Sequence, residues 1–272
     1  MRWLSVFALA LVFASGASAA TVDGMTIHSA SAGSGGATLV LVHGWTCDST
    51  SWAAQVPEFA KKYRVITLDL PGHGRSGSPR DGKFSMDLFA RAVEAVRAEA
   101  GVDKIVLVGH SMGAPVIRQY ARLYPGHVAG LVAVDGPLDM RQFPADFKPP
   151  QLTGADGLKA REGMIRGMFT PQTPPDVQQK VLAMMLAAPE ATAIGAMGSI
   201  MDPALRKNDV TPMPALTVWA GTNQQLPNVE ETKKVLPNYQ QTQVAGTGHF
   251  VMMERPDEFN RIVVGFVDKL TF

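Results

Sequence analysis

The stretch Gly109-His110-Ser111-Met112-Gly113 decides the fold predicted for this chain. It follows a short apolar run at residues 104–108 and precedes a stretch of helical character at residues 114–123. A serine flanked by glycines at this spacing, with a strand before it and a helix after it, is typical of a sharp turn that presents a nucleophile. The glycines let the strand and the helix pass closely, and the helix N-terminus favours negative charge beside the serine. We therefore predict that Ser111 is a catalytic nucleophile.

The first twenty residues have the composition of a cleavable secretory signal peptide. Arg2 supplies positive charge, residues 3–14 are apolar, and the small residues that follow offer cleavage after Ala19 or after Ala20. The apolar run is too short to span a bilayer, and no later stretch is apolar enough to do so. The sequence therefore predicts an exported protein, periplasmic or extracellular, with no stable membrane association after cleavage.

The composition excludes several classes of protein. Cys47 is the only cysteine, so the chain can form no intramolecular disulfide and no cysteine-rich zinc site. The formal net charge of the whole chain is +1, and its Lys and Arg residues form no basic stripe. Nucleic acid and anionic membranes are therefore not expected as partners. The 272 residues suffice for one large domain with a substantial core.

Apolar runs of strand length recur along the chain. Nearly continuous hydrophobicity, typical of parallel strands buried on both faces, marks residues 38–42, 64–68, 105–108, 131–134 and 215–219. Residues 21–32 are instead expected to form a leading pair of antiparallel strands. The strand pattern therefore predicts a sheet that is mostly parallel.

Helical patterns separate these strands. Residues 85–100, which Ser85 can cap, and residues 256–269 are expected to form helices, and Glu254 is expected at the start of the second one. Residues 136–211 contain no good strand and many prolines, and are predicted to be a helical insertion. Alternating strands and helices predict an α/β domain formed by residues 21–135 and 212–272.

A serine hydroxyl needs a histidine base, and in an open α/β sheet the groups converge at the carboxyl ends of the strands. His249 meets that criterion best among the six histidines, because it follows the last strand-like run in a loop that contains two glycines, Gly246 and Gly248. We predict that His249 is the base. His43 ends an early strand and is expected to brace its loop, while His110 is expected to face away from Ser111.

Attack on an acyl carbon creates an oxyanion that needs two preorganised donors. One is expected to be the backbone N–H of Met112, directly after the nucleophile. The other is expected to be the backbone N–H of Trp45, in a loop that Gly44 allows to approach closely. These two N–H groups form the predicted oxyanion hole.

With these motifs together, the chain resembles the α/β-hydrolase superfamily over nearly its whole mature length. Besides the serine turn, the matching pieces are His43-Gly44-Trp45, the turn at residues 69–76 and Gly248-His249-Phe250. The resemblance implies a mostly parallel eight-stranded sheet flanked by helices and a cap domain at residues 136–211. It also implies hydrolysis without a metal or an organic cofactor, and a purely structural role for residues 69–76.

The acid that orients the histidine is where the chain departs from the commonest pattern of that superfamily. Relatives usually carry it shortly after the strand at residues 215–219, where this chain reads Gly221-Thr222-Asn223-Gln224-Gln225 without a carboxylate. We predict that Asp135, at the end of the preceding strand, replaces it, as in some dehalogenases and lactone hydrolases that the chain resembles. An amide, Asn223 or Gln224, is the alternative, and Glu254 is a third candidate.

The insertion is expected to roof the substrate pocket. Eight of the fourteen methionines lie between Met140 and Met213, and with Phe143, Phe147 and Phe169 they predict an apolar lining. We therefore expect a secreted serine esterase that cleaves carboxylic esters of small to medium apolar substrates through an acyl-enzyme. The alternative is a lactone hydrolase with the same triad.

Other functions that share these motifs receive less support. A carbon–carbon bond hydrolase, an aminopeptidase and a perhydrolase would present the same residues. Epoxide hydrolases and dehalogenases resemble this fold but use an aspartate where Ser111 stands. A non-enzymatic binding protein remains the alternative from a different class, and the intact pair Ser111 and His249 argues against it.

Overall fold

A computed structural model describes residues 17–222 and 226–272. In this part of the chain eight strands form one sheet in the order β1-β2-β4-β3-β5-β6-β7-β8. In chain order they are Ala17–Val22, Met25–Ala32, Thr38–Val42, Arg64–Leu68, Ile105–His110, Val128–Val134, Ala215–Gly221 and Tyr239–Ala245. Strand β2 runs antiparallel to β1 and β4, and every other neighbouring pair is parallel. The predicted mostly parallel eight-stranded sheet and its leading antiparallel strands are confirmed.

Helices α1–α9 flank the sheet or belong to the insertion. They span Val56–Phe59, Met86–Glu99, Gly113–Leu123, Gly154–Arg166, Pro175–Ala187, Glu190–Ile200, Val229–Lys233, Val251–Glu254 and Pro256–Val267. Helix α2 begins where the sequence predicts, because the Ser85 hydroxyl accepts a hydrogen bond from the backbone N–H of Leu88 at 3.1 Å. One expectation is wrong: Glu254 does not begin the last helix but ends α8, since Arg255 leaves helical geometry (φ −135°) before α9 starts.

The central strands form the middle of the core. All residues of β3, β5 and β6 are buried, as the continuous hydrophobicity of these segments predicts. Strand β6 begins at Val128, three residues earlier than the apolar pattern indicates. Gly130 interrupts that pattern, and a Cβ atom there would lie 2.8 Å from the side chain of Leu270.

The register of the parallel strands determines where the functional loops lie. Val42 of β3 is opposite Gly109 of β5, His110 of β5 is opposite Val134 of β6, and Val134 is opposite Val218 of β7. The segments that leave these strands therefore start side by side at one edge of the sheet. This is the edge where open α/β sheets bind their ligands.

The segment between β6 and β7 contains helices α4, α5 and α6, and we call it the cap. Several hydrogen bonds attach it to the core: the Thr192 hydroxyl donates to the carbonyl of Gly72 at 2.8 Å, and Nε1 of Trp45 donates to the carbonyl of Ala193 at 2.8 Å. Of the helices in residues 17–222 and 226–272, none is long and apolar enough by itself to span a bilayer. Helices α5 and α6, which meet at 97°, satisfy that criterion only as a bent pair.

Candidate active site

Ser111 occupies a strained turn between β5 and α3. Its φ angle of 51° lies in the left-handed region, which is uncommon for a residue other than glycine. Its backbone N–H donates to the carbonyl of Val134 at 2.9 Å. A Cβ atom on Gly109 would lie 2.4 Å from the carbonyl oxygen of Gly113, and one on Gly113 would lie 2.5 Å from that of Val42. The two glycines are therefore required by the close passage of strand and helix, for the reason inferred from the sequence.

Asp135 follows β6 and shares this backbone conformation, with a φ angle of 42°. Its side chain is only 3% exposed, and its Oδ1 atom accepts a hydrogen bond from the backbone N–H of Ala220 at 2.8 Å. A Cβ atom on Gly136 would lie 2.4 Å from the backbone oxygen of Ser111. The turn that carries Asp135 is therefore packed directly against the turn that carries Ser111.

His249 lies against Asp135, with its Nδ1 atom 2.6 Å from Oδ2 of the carboxylate. In the neutral imidazole this contact places the proton on Nδ1 and leaves the lone pair on Nε2. The backbone of His249 is held as well: its N–H donates to the carbonyl of Met168 at 3.0 Å, and its carbonyl oxygen lies 3.0 Å from Nε2 of His110. The ring is thus oriented by the Asp135 carboxylate, and the backbone of His249 is held through both its N–H and its carbonyl oxygen.

Ser111, Asp135 and His249 line one cavity of about 700 Å³. Within the described residues, neither the Ser111 hydroxyl nor Nε2 of His249 has a hydrogen-bond partner. Both groups therefore remain open to a molecule in the cavity. Hydrogen bonds between a nucleophile and its base are often loose without substrate and tighten in the complex.

The rest of the cavity wall is mostly apolar. Its larger apolar side chains are Met112, Met140, Phe143, Ile200, Trp219 and Leu226. Among the described residues that line it, Asp135 and His249 are the only ionisable ones. The predicted lining by cap residues is only partly right. Met140 and Phe143 contribute, whereas Phe147 is 37% exposed and Met185 is packed in the core.

Two backbone N–H groups lie beside Ser111 without an acceptor in the described part of the chain, those of Trp45 and Met112. Met112 lines the cavity and the Trp45 side chain is buried. Gly44 brings the first loop close, because a Cβ atom there would lie 3.2 Å from Cβ of Ser111. The indole of Trp45 fixes this loop to the cap through its bond to Ala193.

His43 and His110 are buried and support this geometry. His43 braces its loop as expected: its Nε2 atom accepts from the backbone N–H of Leu70 at 2.9 Å, so its Nδ1 atom donates to the carbonyl of Gly44 at 2.9 Å. Burial lowers the pKa of His43, and it lowers the pKa of His110 well below the ordinary value. Both rings therefore stay neutral and act as hydrogen-bonding groups.

Of the three alternatives to Asp135 as the orienting group, the structure describes only Glu254. Asn223 and Gln224 lie outside the described residues. Glu254 is buried, but its Oε2 atom accepts hydrogen bonds from the backbone N–H of Gly248 at 2.9 Å and from the Thr173 hydroxyl at 3.0 Å, not from the His249 ring. The contact of Thr173 with this loop was not predicted, because its hydroxyl comes from the cap, 81 positions away from Glu254 in sequence.

Comparisons with known proteins agree with this architecture. The family model described as alpha/beta hydrolase fold matches residues 37–165. A dihydrolipoyllysine-residue acetyltransferase component of the acetoin cleaving system of Pseudomonas putida is 29% identical over 247 residues, which cover 87% of this chain. The chain spans 65% of the length of that relative.

Two further proteins are similar over most of their length. The 2-hydroxy-6-oxononadienedioate/2-hydroxy-6-oxononatrienedioate hydrolase of Paraburkholderia phymatum is 28% identical, and the match covers 89% of this chain and 91% of the relative. The structure of a thermophilic esterase from Thermogutta terrifontis superposes with a TM-score of 0.77 at 24% identity, covering 93% of this chain and 97% of that one. At that identity the likeness concerns the fold. The matched family model and the structural likeness together show that the chain has the alpha/beta hydrolase fold.

Proposed function

We propose that this protein is a serine hydrolase that cleaves carboxylic esters of small to medium, uncharged, apolar substrates. The observation that carries the proposal is the 2.6 Å contact between His249 and Asp135 in a cavity that Ser111 also lines. A serine at a strained turn, an oriented histidine and a buried carboxylate are the three groups that nucleophilic acyl transfer needs.

The reaction proceeds through two acyl-transfer steps. Nε2 of His249 takes the proton of the Ser111 hydroxyl while the oxygen attacks the acyl carbon, and Asp135 stabilises the imidazolium that forms. The backbone N–H groups of Trp45 and Met112 donate to the oxyanion. Collapse of the tetrahedral intermediate expels the alkoxide, which receives the proton from His249. Water, deprotonated by His249, then releases the acid and restores Ser111.

The lack of cationic side chains in the described cavity wall argues for a neutral substrate. The relative from Paraburkholderia phymatum acts, by its name, on a substrate with two carboxylates. No Lys or Arg is among the described residues that line the cavity here, and residues 223–225 of the neighbouring loop are Asn, Gln and Gln. A buried carboxylate without a cation is strongly disfavoured. An apolar acyl or aryl group fits the wall formed by Met140, Phe143 and Trp219.

Lactone hydrolysis is the second candidate, and the position of Asp135 favours it. The acid follows β6 instead of β7, as in the lactone hydrolases that the sequence resembles. Ring opening uses the same nucleophile and base, and differs only because the leaving alcohol stays attached to the acyl group. A panel of matched linear esters and lactones, assayed by their kcat/KM values, separates the two.

We also propose that the protein is exported. Residues 1–16 lie outside the described residues, and β1 begins at Ala17, within the predicted leader. Cleavage after Ala20 would leave Thr21 and Val22 paired with Thr26 and Met25 of β2. Edman sequencing of the protein recovered from periplasm or medium tests this proposal. A cytoplasmic protein that retains residues 1–20 would contradict it.

A fluorophosphonate probe tests the proposed chemistry directly. It should label the purified protein at Ser111, and Ser111→Ala should abolish both the labelling and the hydrolysis of p-nitrophenyl butyrate. Ser51→Ala is a matched control, since that hydroxyl is also part-buried but donates to the carbonyl of Asp48 outside the cavity. Labelling at another residue, or hydrolysis by Ser111→Ala near the wild-type rate, would refute the nucleophile.

A further inference from the structure

The loop that carries His249 is bound to the cap as well as to the sheet. The backbone N–H of His249 donates to the carbonyl of Met168, which follows α4 in the cap, at 3.0 Å. Its carbonyl oxygen lies 3.0 Å from Nε2 of His110, at the end of β5. The main chain of the base is therefore held between the cap and the strand of the nucleophile.

Glu254 provides a second link between the same two segments. Its Oε2 atom accepts from the backbone N–H of Gly248 at 2.9 Å and from the Thr173 hydroxyl at 3.0 Å. Glu254 is 5% exposed and Thr173 is 2% exposed, so both hydrogen bonds are shielded from water. The Thr173 hydroxyl also accepts from the backbone N–H of Thr170 at 2.9 Å, which fixes its direction.

The two segments are packed too closely to move independently. A Cβ atom on Gly248 would lie 2.6 Å from the carbonyl oxygen of Met168, 3.0 Å from Oε1 of Glu254 and 3.2 Å from the Thr173 hydroxyl. A displacement of the cap turn at residues 168–173 must therefore displace the backbone directly before His249.

The groups around the loop indicate that Glu254 acts through its hydrogen-bond geometry and not through its charge. Asp135 faces the ring from the end of β6, and His110 faces it from β5 with ring centroids 4.8 Å apart. Burial keeps the pKa of His110 low, so that ring is neutral. Both hydrogen-bond partners of Glu254 are uncharged donors, and an amide oxygen of the same shape can accept from them equally well.

We propose that Glu254 and Thr173 are positioning residues that hold His249 toward Asp135 and Ser111, and that the cap turn at residues 168–173 is thereby part of the catalytic geometry. The inference rests on the proposed function, because it assigns the base to His249. Neither Glu254 nor Thr173 lines the cavity, so their effect reaches the substrate only through the histidine loop.

Four variants test the proposal in pairs. Thr173→Val and Glu254→Met remove the hydrogen bonds, whereas Thr173→Ser and Glu254→Gln retain a donor and an acceptor. The first pair should lower kcat for p-nitrophenyl butyrate by about 10- to 100-fold with little change in KM, because a misplaced base loses rate without losing binding. The second pair should stay within about twofold of the wild type.

Thr192→Val is the matched control. Its hydroxyl is also buried and also joins the cap to the core, but at Gly72, away from the histidine loop. This variant should lose thermal stability and keep the wild-type kcat and KM. Wild-type kinetics of Thr173→Val and Glu254→Met would overturn the proposal, as would an equal loss of kcat in Thr192→Val or in Glu254→Gln. An inactive wild type that no fluorophosphonate labels would instead refute the proposed function itself.

Discussion

Nδ1 of His249 lies 2.6 Å from Oδ2 of Asp135, although 114 positions separate the two residues in sequence. The contact exists because β6 is adjacent to both β5 and β7, so that the turn after β6 lies between the Ser111 turn and the histidine loop. Asp135 receives a backbone hydrogen bond from Ala220 of β7 on its other oxygen. The backbone of β7 therefore holds the carboxylate independently of its contact with the imidazole.

Replacement of this carboxylate by an amide should remove most of the activity. Asp135→Asn retains an oxygen for the N–H of Ala220 but cannot stabilise the imidazolium by charge. We expect kcat for p-nitrophenyl butyrate to fall by about 10⁴-fold, the loss seen for the same replacement in the serine-protease template. Circular dichroism should show an unchanged fold.

Asn223→Ala is the comparison for that variant, since it removes the amide that competes for the orienting role. It should retain most of the wild-type kcat. If Asn223→Ala lost far more activity than Asp135→Asn, the loop after β7 would hold the orienting group.

The contact between the turns of Ser111 and Asp135 depends on a glycine. A Cβ atom at position 136 would lie 2.4 Å from the backbone oxygen of Ser111, which cannot move without displacing the Ser111 turn. Gly136→Ala should therefore lower the free energy of unfolding by about 1–3 kcal/mol and reduce kcat as well. Urea unfolding and esterase assays measure the two effects.

Gly163→Ala controls for the loss of a glycine as such. Gly163 lies inside α4, and no atom lies within 4 Å of a Cβ built there. This variant should gain up to about 1 kcal/mol of stability, because alanine favours the helix, and should keep its activity. Equal behaviour of the two variants would mean that the close approach at Gly136 has no consequence.

The buried histidines should make the protein sensitive to mild acid. Burial lowers the pKa of His73 from 6.5 to about 3. Between these values the unfolded chain binds a proton at His73 that the folded chain does not, so stability falls as the pH falls below 6.5. Within this window His73 contributes about 1.4 kcal/mol per pH unit.

His73→Asn should weaken that dependence. Its amide can still donate to the carbonyl of Pro71, which the Nδ1 atom of His73 approaches to 3.0 Å, and it does not titrate. The loss of unfolding free energy between pH 7.5 and pH 5 should be smaller by about 2 kcal/mol than in the wild type. If the unfolding free energy of His73→Asn depended on pH as it does in the wild type, the assignment of this proton to His73 would be contradicted.

The cavity should discriminate against charged acyl groups. 4-Nitrophenyl hemisuccinate and its methyl ester have nearly the same shape, but the first places a carboxylate in a wall without a Lys or Arg among the described lining residues. We expect its kcat/KM to be lower by about 100-fold or more, because burying an unpaired charge has a desolvation cost of several kcal/mol. Equal values for the two substrates would mean that the acyl group stays in solvent.

Much of this protein follows from its sequence alone. Residues 38–42 and 64–68 coincide with β3 and β4, because continuous apolar β-branched runs can be buried only as inner strands. The turn at Ser111 follows from two glycines at fixed spacing between a strand and a helix, which is a local steric requirement. The placement of His249 after the last strand also follows from chain order.

Tertiary structure alone decided what surrounds those residues. Among the described residues the hydrogen-bond partner of the His249 ring is Asp135. The local sequence could only suggest it as a candidate, since the contact depends on strand order and on a φ angle of 42° imposed by packing. The hydrogen bond of Thr173 to Glu254 joins the cap to the histidine loop across 81 positions. Such contacts carry no local signal, because they arise only when the sheet brings distant turns to one edge.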